Sequence, residues 1–316
     1  YNSLYNNSLY GGYWGNSYLG NSYYDDYYQN AYENALDPNK SLQMIGVSFG
    51  FGKRLEWPDD YFTFMAELGY QAYILKNWEY HSFTLGLTLG RSSIDNTIYT
   101  RRGSQFTLSA QFTPPYSLFS KKDYKSLYES SSRADREELY RWIEYYKIKF
   151  KSRVYTPLNN SEKYTLVLMG RADFGLLGSY NKYKQTPFET FHVGGDGMTG
   201  SYTYATETIG LRGYDNGALT PYSDGRAYTR FSMELHFPFL LQPSSTIYGL
   251  AFVEGGNAWT SLENFNPFSL KRSAGVGVRI FLPMIGLMGI DWAYGFDKVQ
   301  GEKGGGHFHF ILGQEF

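Results

Sequence analysis

The side chains that could carry covalent chemistry in this chain are few and poorly grouped. There are five histidines and no cysteine, so thiol nucleophiles are excluded and a histidine base is the group to look for. His192 and Asp196, four apart, are the nearest approach to an acid–base pair. No fuller constellation gathers around them, and the chain reads as a non-enzyme. His307 and His309 lie two apart, which on a strand puts both imidazoles on one face. A zinc site needs further ligands, and none follows in view, so they read as polar positions of that strand. Asp196, Asp215 and Asp224 could be offered to calcium, but their spacing fits no EF-hand loop. They read as polar loop residues, and neither metal nor cofactor is expected. The most telling charges are Lys147, Lys149, Lys151 and Arg153, which alternate with Ile148, Phe150 and Val154. Four cations on one face of a strand cannot enter a dry core without partners, because each unpaired charge costs several kcal/mol, ~3–5 by mutation. They can face a polar, watery lumen.

That requirement points to the elements that position them. The hydrophobic period is 2 over most of the chain. Ile45, Val47, Phe49 and Phe51 alternate with Gly46, Ser48 and Gly50, and Phe62, Phe64, Ala66, Leu68 and Tyr70 with Thr63, Met65, Glu67, Gly69 and Gln71. Similar runs cover 82–89, 104–113, 147–154, 165–174, 230–237, 273–280, 288–297 and 307–316. Around 247–256 both faces look apolar until Glu254, which leaves the phase there open. Eleven strands of about bilayer-spanning length result. The composition agrees. Mean hydropathy is -0.44 with 19% aromatic residues, as expected when one face of each strand meets lipid and aromatic girdles mark the interfaces. A net charge of -1 argues against nucleic acid as a partner. The fold class is all-β, a transmembrane antiparallel barrel.

The connections alternate in length. Pro58-Asp59-Asp60, Asn159-Asn160-Ser161, Gln242-Pro243 and Pro283-Met284 are short, whereas 116–143 and 182–223 are long. Bacterial barrels have short periplasmic turns and long external loops, which places Phe316 on the periplasmic side. Helical spacing and a leading serine predict a short helix near 132–143. Residues 1–41 are rich in Tyr, Asn, Gly and Ser without a period and read as an extracellular low-complexity loop. Residues 42–316 read as the barrel segment. Eleven strands ending in the periplasm would begin outside the cell, whereas an even count is usual. The expectation is the carboxy-terminal part of a longer barrel, with a weak strand hidden in residues 1–40 as the alternative.

Several segments are more specific than any barrel pattern. They are Val193-Gly194-Gly195-Asp196-Gly197, Ile209-Gly210-Leu211-Arg212-Gly213-Tyr214-Asp215, Met233-Glu234-Leu235-His236-Phe237-Pro238, Ala251 to Trp259, Gly277 to Pro283, and the terminal Phe308 to Phe316. Ser93-Ile94-Asp95-Asn96 and Thr100-Arg101-Arg102-Gly103-Ser104 fit the same picture. Together they resemble the BamA family of outer-membrane assembly factors, from about residue 42 to the end and most closely over 190–316. The resemblance implies about eleven strands of a sixteen-stranded barrel, without the periplasmic POTRA domains that precede it in the family. It implies a loop-locking motif at Leu211, Arg212, Gly213 and Tyr214, with Leu211 in place of the usual β-branched residue. Glu234 and Glu254 would be its acidic partners in the lumen. A guanidinium can fork to two carboxylates and so hold a long loop. The terminal strand, with Phe308, Phe310, Leu312, Gly313 and Phe316, would form one side of a seam that opens for client strands.

The resemblance further implies a multi-pass protein of the outer membrane, with unfolded outer-membrane protein clients, assembly-machine lipoproteins and outer-membrane lipids as partners. The function expected from it is folding and insertion of client barrels by lateral seam opening and edge-strand templating. A two-partner or translocation-module translocator shares the arginine-bearing loop and is the alternative, with a passive outer-membrane channel as a third reading.

Overall fold

The computed structural model describes residues 42–75, 78–161, 164–186, 189–197, 206–220, 224–242, 244–299 and 304–313. Residues 1–41 and Phe316 therefore lie outside the described residues. Eleven strands form one antiparallel sheet in chain order: β1 (Leu42–Arg54), β2 (Phe62–Leu75), β3 (Trp78–Ser92), β4 (Gly103–Phe112), β5 (Tyr146–Pro157), β6 (Val167–Gly178), β9 (Ala227–Gln242), β10 (Ser245–Trp259), β11 (Lys271–Leu282), β12 (Gly286–Gly295) and β13 (Gly306–Leu312). Each of the eleven expected strands has its counterpart. Two further strands, β7 (Thr190–Val193) and β8 (Thr206–Ile209), pair in parallel inside the β6–β9 loop. The sheet is not closed: among the described residues β1 and β13 are not paired with each other.

From β6 onward the alternation of residue types becomes an alternation of environments. On β9, Met233, Leu235, Phe237 and Phe239 are exposed, while Ser232, Glu234 and His236 between them are buried. The same outward apolar row continues through Val276, Val278, Ile290, Trp292, Phe308 and Phe310. A water-facing sheet could not carry so large an apolar surface, but the lipid face of a barrel requires it. On β10 the phase left open by the sequence is now fixed. Tyr248, Leu250, Phe252 and Glu254 are buried inside, and Ala251 and Val253 are exposed outside. The ambiguity had a physical cause: this strand's inner face packs against loop side chains instead of water.

Loop lengths follow the expected alternation with two departures, one of them the two-residue β2–β3 connection, 76–77, at the end of the long loops. The β3–β4 connection, 93–102, lies at the end of the short turns yet spans ten residues. It folds inward, and the buried Tyr99 donates its hydroxyl to the carbonyls of Thr165 (2.7 Å) and His236 (3.3 Å). In the β4–β5 loop the expected helix is α3 (Arg133–Tyr140), preceded by α1 (Tyr116–Phe119) and α2 (Tyr124–Glu129), which the sequence pattern did not announce. Ser132 occupies the N-cap of α3 without a side-chain cap bond, whereas Asp123 caps α2 through the amides of Lys125 and Ser126.

Two apolar clusters fill the lumen, mostly beside β6–β13, with Tyr73 of β2 and Tyr145 joining the first. One, with Tyr73, Tyr145, Phe191, Val193, Ile209, Leu211, Tyr214 and Tyr228, lies toward the long-loop end. The other, with Tyr99, Val167, Tyr248, Leu250 and Phe252, lies toward the short-turn end. Beside β1–β5 the inner face is different. Ser48, Gln71, Thr84, Thr88, Thr107, Ser109 and Gln111, with Lys147 and Lys149, line a cavity of about 620 Å³.

Candidate functional site

The site is built by the loop between β6 and β9. Its backbone is threaded through the lumen by a short ladder: Gly194 donates to Ile209 (3.0 Å), Gly195 to Leu211 (3.1 Å) and Leu219 to Val193 (3.1 Å). Leu211 is fully buried against Gly256, where an added Cβ would come within 3.2 Å of its Cδ1 and 2.7 Å of the Thr229 carbonyl. The missing side chain at Gly256 is what lets the loop reach the wall.

Arg212 is then delivered to the inward faces of three strands. Its Nη2 reaches Glu254 at 2.6 Å and also contacts Glu234, while Nη1 donates to Asp291 at 2.9 Å. Its backbone amide donates to Glu254 Oε2 at 3.0 Å. The guanidinium face lies 3.5 Å from the centroid of the Phe252 ring, a cation–π stack. Each acid has a second partner. Glu254 accepts from Ser232 (3.0 Å) and Arg230 (3.3 Å), Glu234 is bonded to His236 (2.8 Å), and Asp291 is gripped by both Arg279 Nη atoms. Three guanidiniums thus meet three carboxylates, all buried. That balance offsets the several-kcal/mol desolvation cost that an unpaired ion would carry, ~3–5 when one partner is removed.

The next three residues reach further. Gly213 donates its N–H to His309 Nε2 on β13 (2.9 Å), and the Tyr214 hydroxyl donates to the Arg272 carbonyl on β11 (2.6 Å). Asp215 lies 3.3 Å from His307 Nδ1. At Gly213 φ is +88°, and a Cβ would meet Ser273 Cβ at 2.9 Å and Gly295 N at 3.0 Å, so glycine is required by conformation and by space. Four consecutive loop residues therefore brace all five strands from β9 to β13.

A second contact seats the same loop against β5. Glu207 on β8 lies 2.8 Å from Lys149, 3.3 Å from Lys147 and 3.6 Å from Lys151, and Glu189 lies 3.0 Å from Lys147. The lysine face was expected to meet water. It meets loop carboxylates instead, which supply the partners that the burial of Lys147 demands. Burial alone would raise the Glu207 carboxyl, but the three lysines hold it down at about 2.

The remaining sequence candidates are dispersed. Asp224 pairs with Arg226 (2.7 Å), Asp215 turns to His307, and Asp196 takes its amide to Asn216 Oδ1 (3.3 Å), so the three acids do not converge. On the terminal strand Phe308, Phe310 and Leu312 point outward and are exposed, and Gly313, at φ +86°, donates to the Leu287 carbonyl. Sequence reasoning placed Glu234 and Glu254 opposite Arg212, and the structure brings these three together. It missed Asp291, Arg230, Arg279, Phe252 and the link to His309. Inward parity marks Asp291 and His309, but selecting them needs the register Asp291↔His309 and the position of the loop apex, which no single strand reveals.

The fold resembles the crystal structure of BamA from Haemophilus ducreyi lacking POTRA domains 1–3, with TM-score 0.57 and 17% identity over 85% of this chain and 54% of that one. The chain thus spans about half the length of that relative, and at this identity the likeness establishes the fold alone. The translocator domain of the autotransporter NalP from Neisseria meningitidis matches at TM-score 0.26 and 11% identity, over 91% of this chain and 93% of that one. That superposition is too loose to support any structural inference. A family model described as the Omp85 superfamily domain matches residues 5–316, and the chain belongs to that superfamily, as an outer-membrane β-barrel of the BamA type.

Proposed function

We propose that this barrel belongs to the core subunit of an outer-membrane barrel assembly machine, which folds and inserts unfolded outer-membrane protein clients. Its work involves no bond chemistry. The wall from β9 to β13 is held as a unit from inside, and the seam beside β13 opens laterally so that a client strand adds to the freed edge. Backbone hydrogen bonds supply the driving force. Assembly-machine lipoproteins would be its companions and the outer-membrane lipids its medium. The observation that carries this reading is the four-residue brace, Arg212 to Asp215, on five adjacent strands that end in β13. A pore or passive scaffold has no need for a preformed internal support at one edge of its sheet.

The test is complementation. Arg212→Ala in a strain depleted of the native protein should lower the amount of folded client barrels while the variant itself still reaches the membrane. Full client assembly by that variant would defeat the reading. The cavity beside β1–β5 favours a second reading, a translocator that passes an extended polypeptide along that polar face. In that case a secreted partner would be retained in the periplasm while barrel clients assemble normally.

A further inference from the structure

We propose that His309 is a positioning residue that couples the seated loop to the terminal strand, and that it does so only while its imidazole is neutral. The contact has a direction. The Gly213 N–H donates to His309 Nε2, so that nitrogen must carry a lone pair and any ring proton must sit on Nδ1. An imidazolium has no acceptor. Protonation therefore converts the bond into a meeting of two donors.

Charges of both signs surround the ring. His309 is buried. It faces His307 on its own strand, with ring centroids 6.2 Å apart, Asp291 across the ladder on β12, and Arg212 and Asp196 of the loop. Both Asp291 oxygens are already taken by Arg279 and Arg212, and the network they belong to is balanced three against three. The other tie from the loop to β13, His307 with Asp215, lies near the surface. On β13 the Gly213 bond is the buried one, while the strand's backbone pairs with β12 over seven positions.

This inference rests on the reading of β13 as the moving edge only for its consequence; the contact itself can be measured without a client. In the full chain reconstituted in phospholipid vesicles, hydrogen exchange of the 308–312 amides would be compared at pH 7.5 and 5.5, after correction for intrinsic rates. Wild type should exchange about tenfold faster at the lower pH, the size of one lost hydrogen bond. His309→Gln keeps an acceptor at both values and should remain protected at both, and His309→Leu should exchange fast at both. His307→Gln should leave the wild-type response in place. A flat wild-type profile, a Gln variant that tracks wild type, or a response abolished by His307→Gln would overturn the assignment. If the Leu variant does not fold, the Gln comparison still decides. Client insertion is scored separately: a normal exchange pattern without insertion counts against the function alone, and insertion with a flat pattern counts against the His309 coupling alone.

Discussion

Replacing Arg212 by methionine, which keeps the length and removes the charge, isolates the electrostatic part of the brace. Three buried acids lose their common partner, but not equally. Asp291 keeps the two-pronged grip of Arg279, Glu254 keeps Ser232 and Arg230, and Glu234 keeps His236 with the Arg171 charge nearby. Removing one member of a buried ion pair costs ~3–5 kcal/mol, and the surviving partners place Arg212→Met near the lower end, ~3 kcal/mol. At ~1.4 kcal/mol per factor of ten, the population with the loop unseated rises by about a hundredfold. Loop release and barrel unfolding should be read separately, by hydrogen exchange over 206–220 and by urea unfolding of the reconstituted protein. The expected result is a hundredfold loss of protection in the loop, with a smaller shift of the barrel transition because the ladders from β9 to β12 persist. Adding Glu234→Gln to Arg212→Met should recover part of the loss, since it removes the least compensated charge. Loop protection within threefold of wild type in the single variant would refute the argument that this network seats the loop.

At the second contact, Glu207→Gln should loosen the β5 side of the loop and raise the exposure of Lys149 and Lys151 to an amine-reactive label. Because the folded Glu207 carboxyl sits at about 2, below its usual 4.5, its stabilisation is complete above about pH 4.5 and is lost as pH falls towards 2; labelling should be flat from pH 5 to 8 once corrected for lysine reactivity. Gly213→Ala forces a β-carbon into a left-handed backbone and within 3.0 Å of Ser273 and Gly295, so it should unseat the loop at a cost of ~1–3 kcal/mol, visible as protease sensitivity within 206–220. Tyr99→Phe removes a buried hydroxyl bonded to two carbonyls and should lower the urea midpoint by the equivalent of ~1–2 kcal/mol without altering loop exchange.

What the sequence disclosed follows from which interactions are local. The eleven wall strands were legible because residues two apart share a face, so Met233, Leu235 and Phe237 announce the lipid side with no knowledge of their neighbours. On β10 the rule failed, since Tyr248, Leu250 and Phe252 are apolar for an inward reason: Tyr99 and the Arg212 guanidinium pack on that face. The lysines of β5 were correctly judged unable to stand alone, yet their partners lie 40 to 60 residues away on a loop without periodicity. Arg212, Glu234 and Glu254 emerged only through a family motif. Asp291 and His309 stayed hidden among other inward polar residues, because the choice between them is made by register across strands.

The placement of the two loop anchors has a consequence for how the protein meets changes in salinity. The Arg212 network lies between two apolar clusters, with Phe252 against its face and Leu211 and Tyr214 alongside, so mobile ions cannot approach its charges. Lys149 instead borders the cavity beside β1–β5, and Lys149 and Lys151 both retain partial exposure. Screening over ~10 Å at 0.1 M ionic strength, shrinking to ~3 Å at 1 M, therefore acts on the second anchor and spares the first. In concentrated brine the loop would loosen from β5 while remaining fastened to β9–β13, so that dissolved salt selects which side of the barrel is free to move.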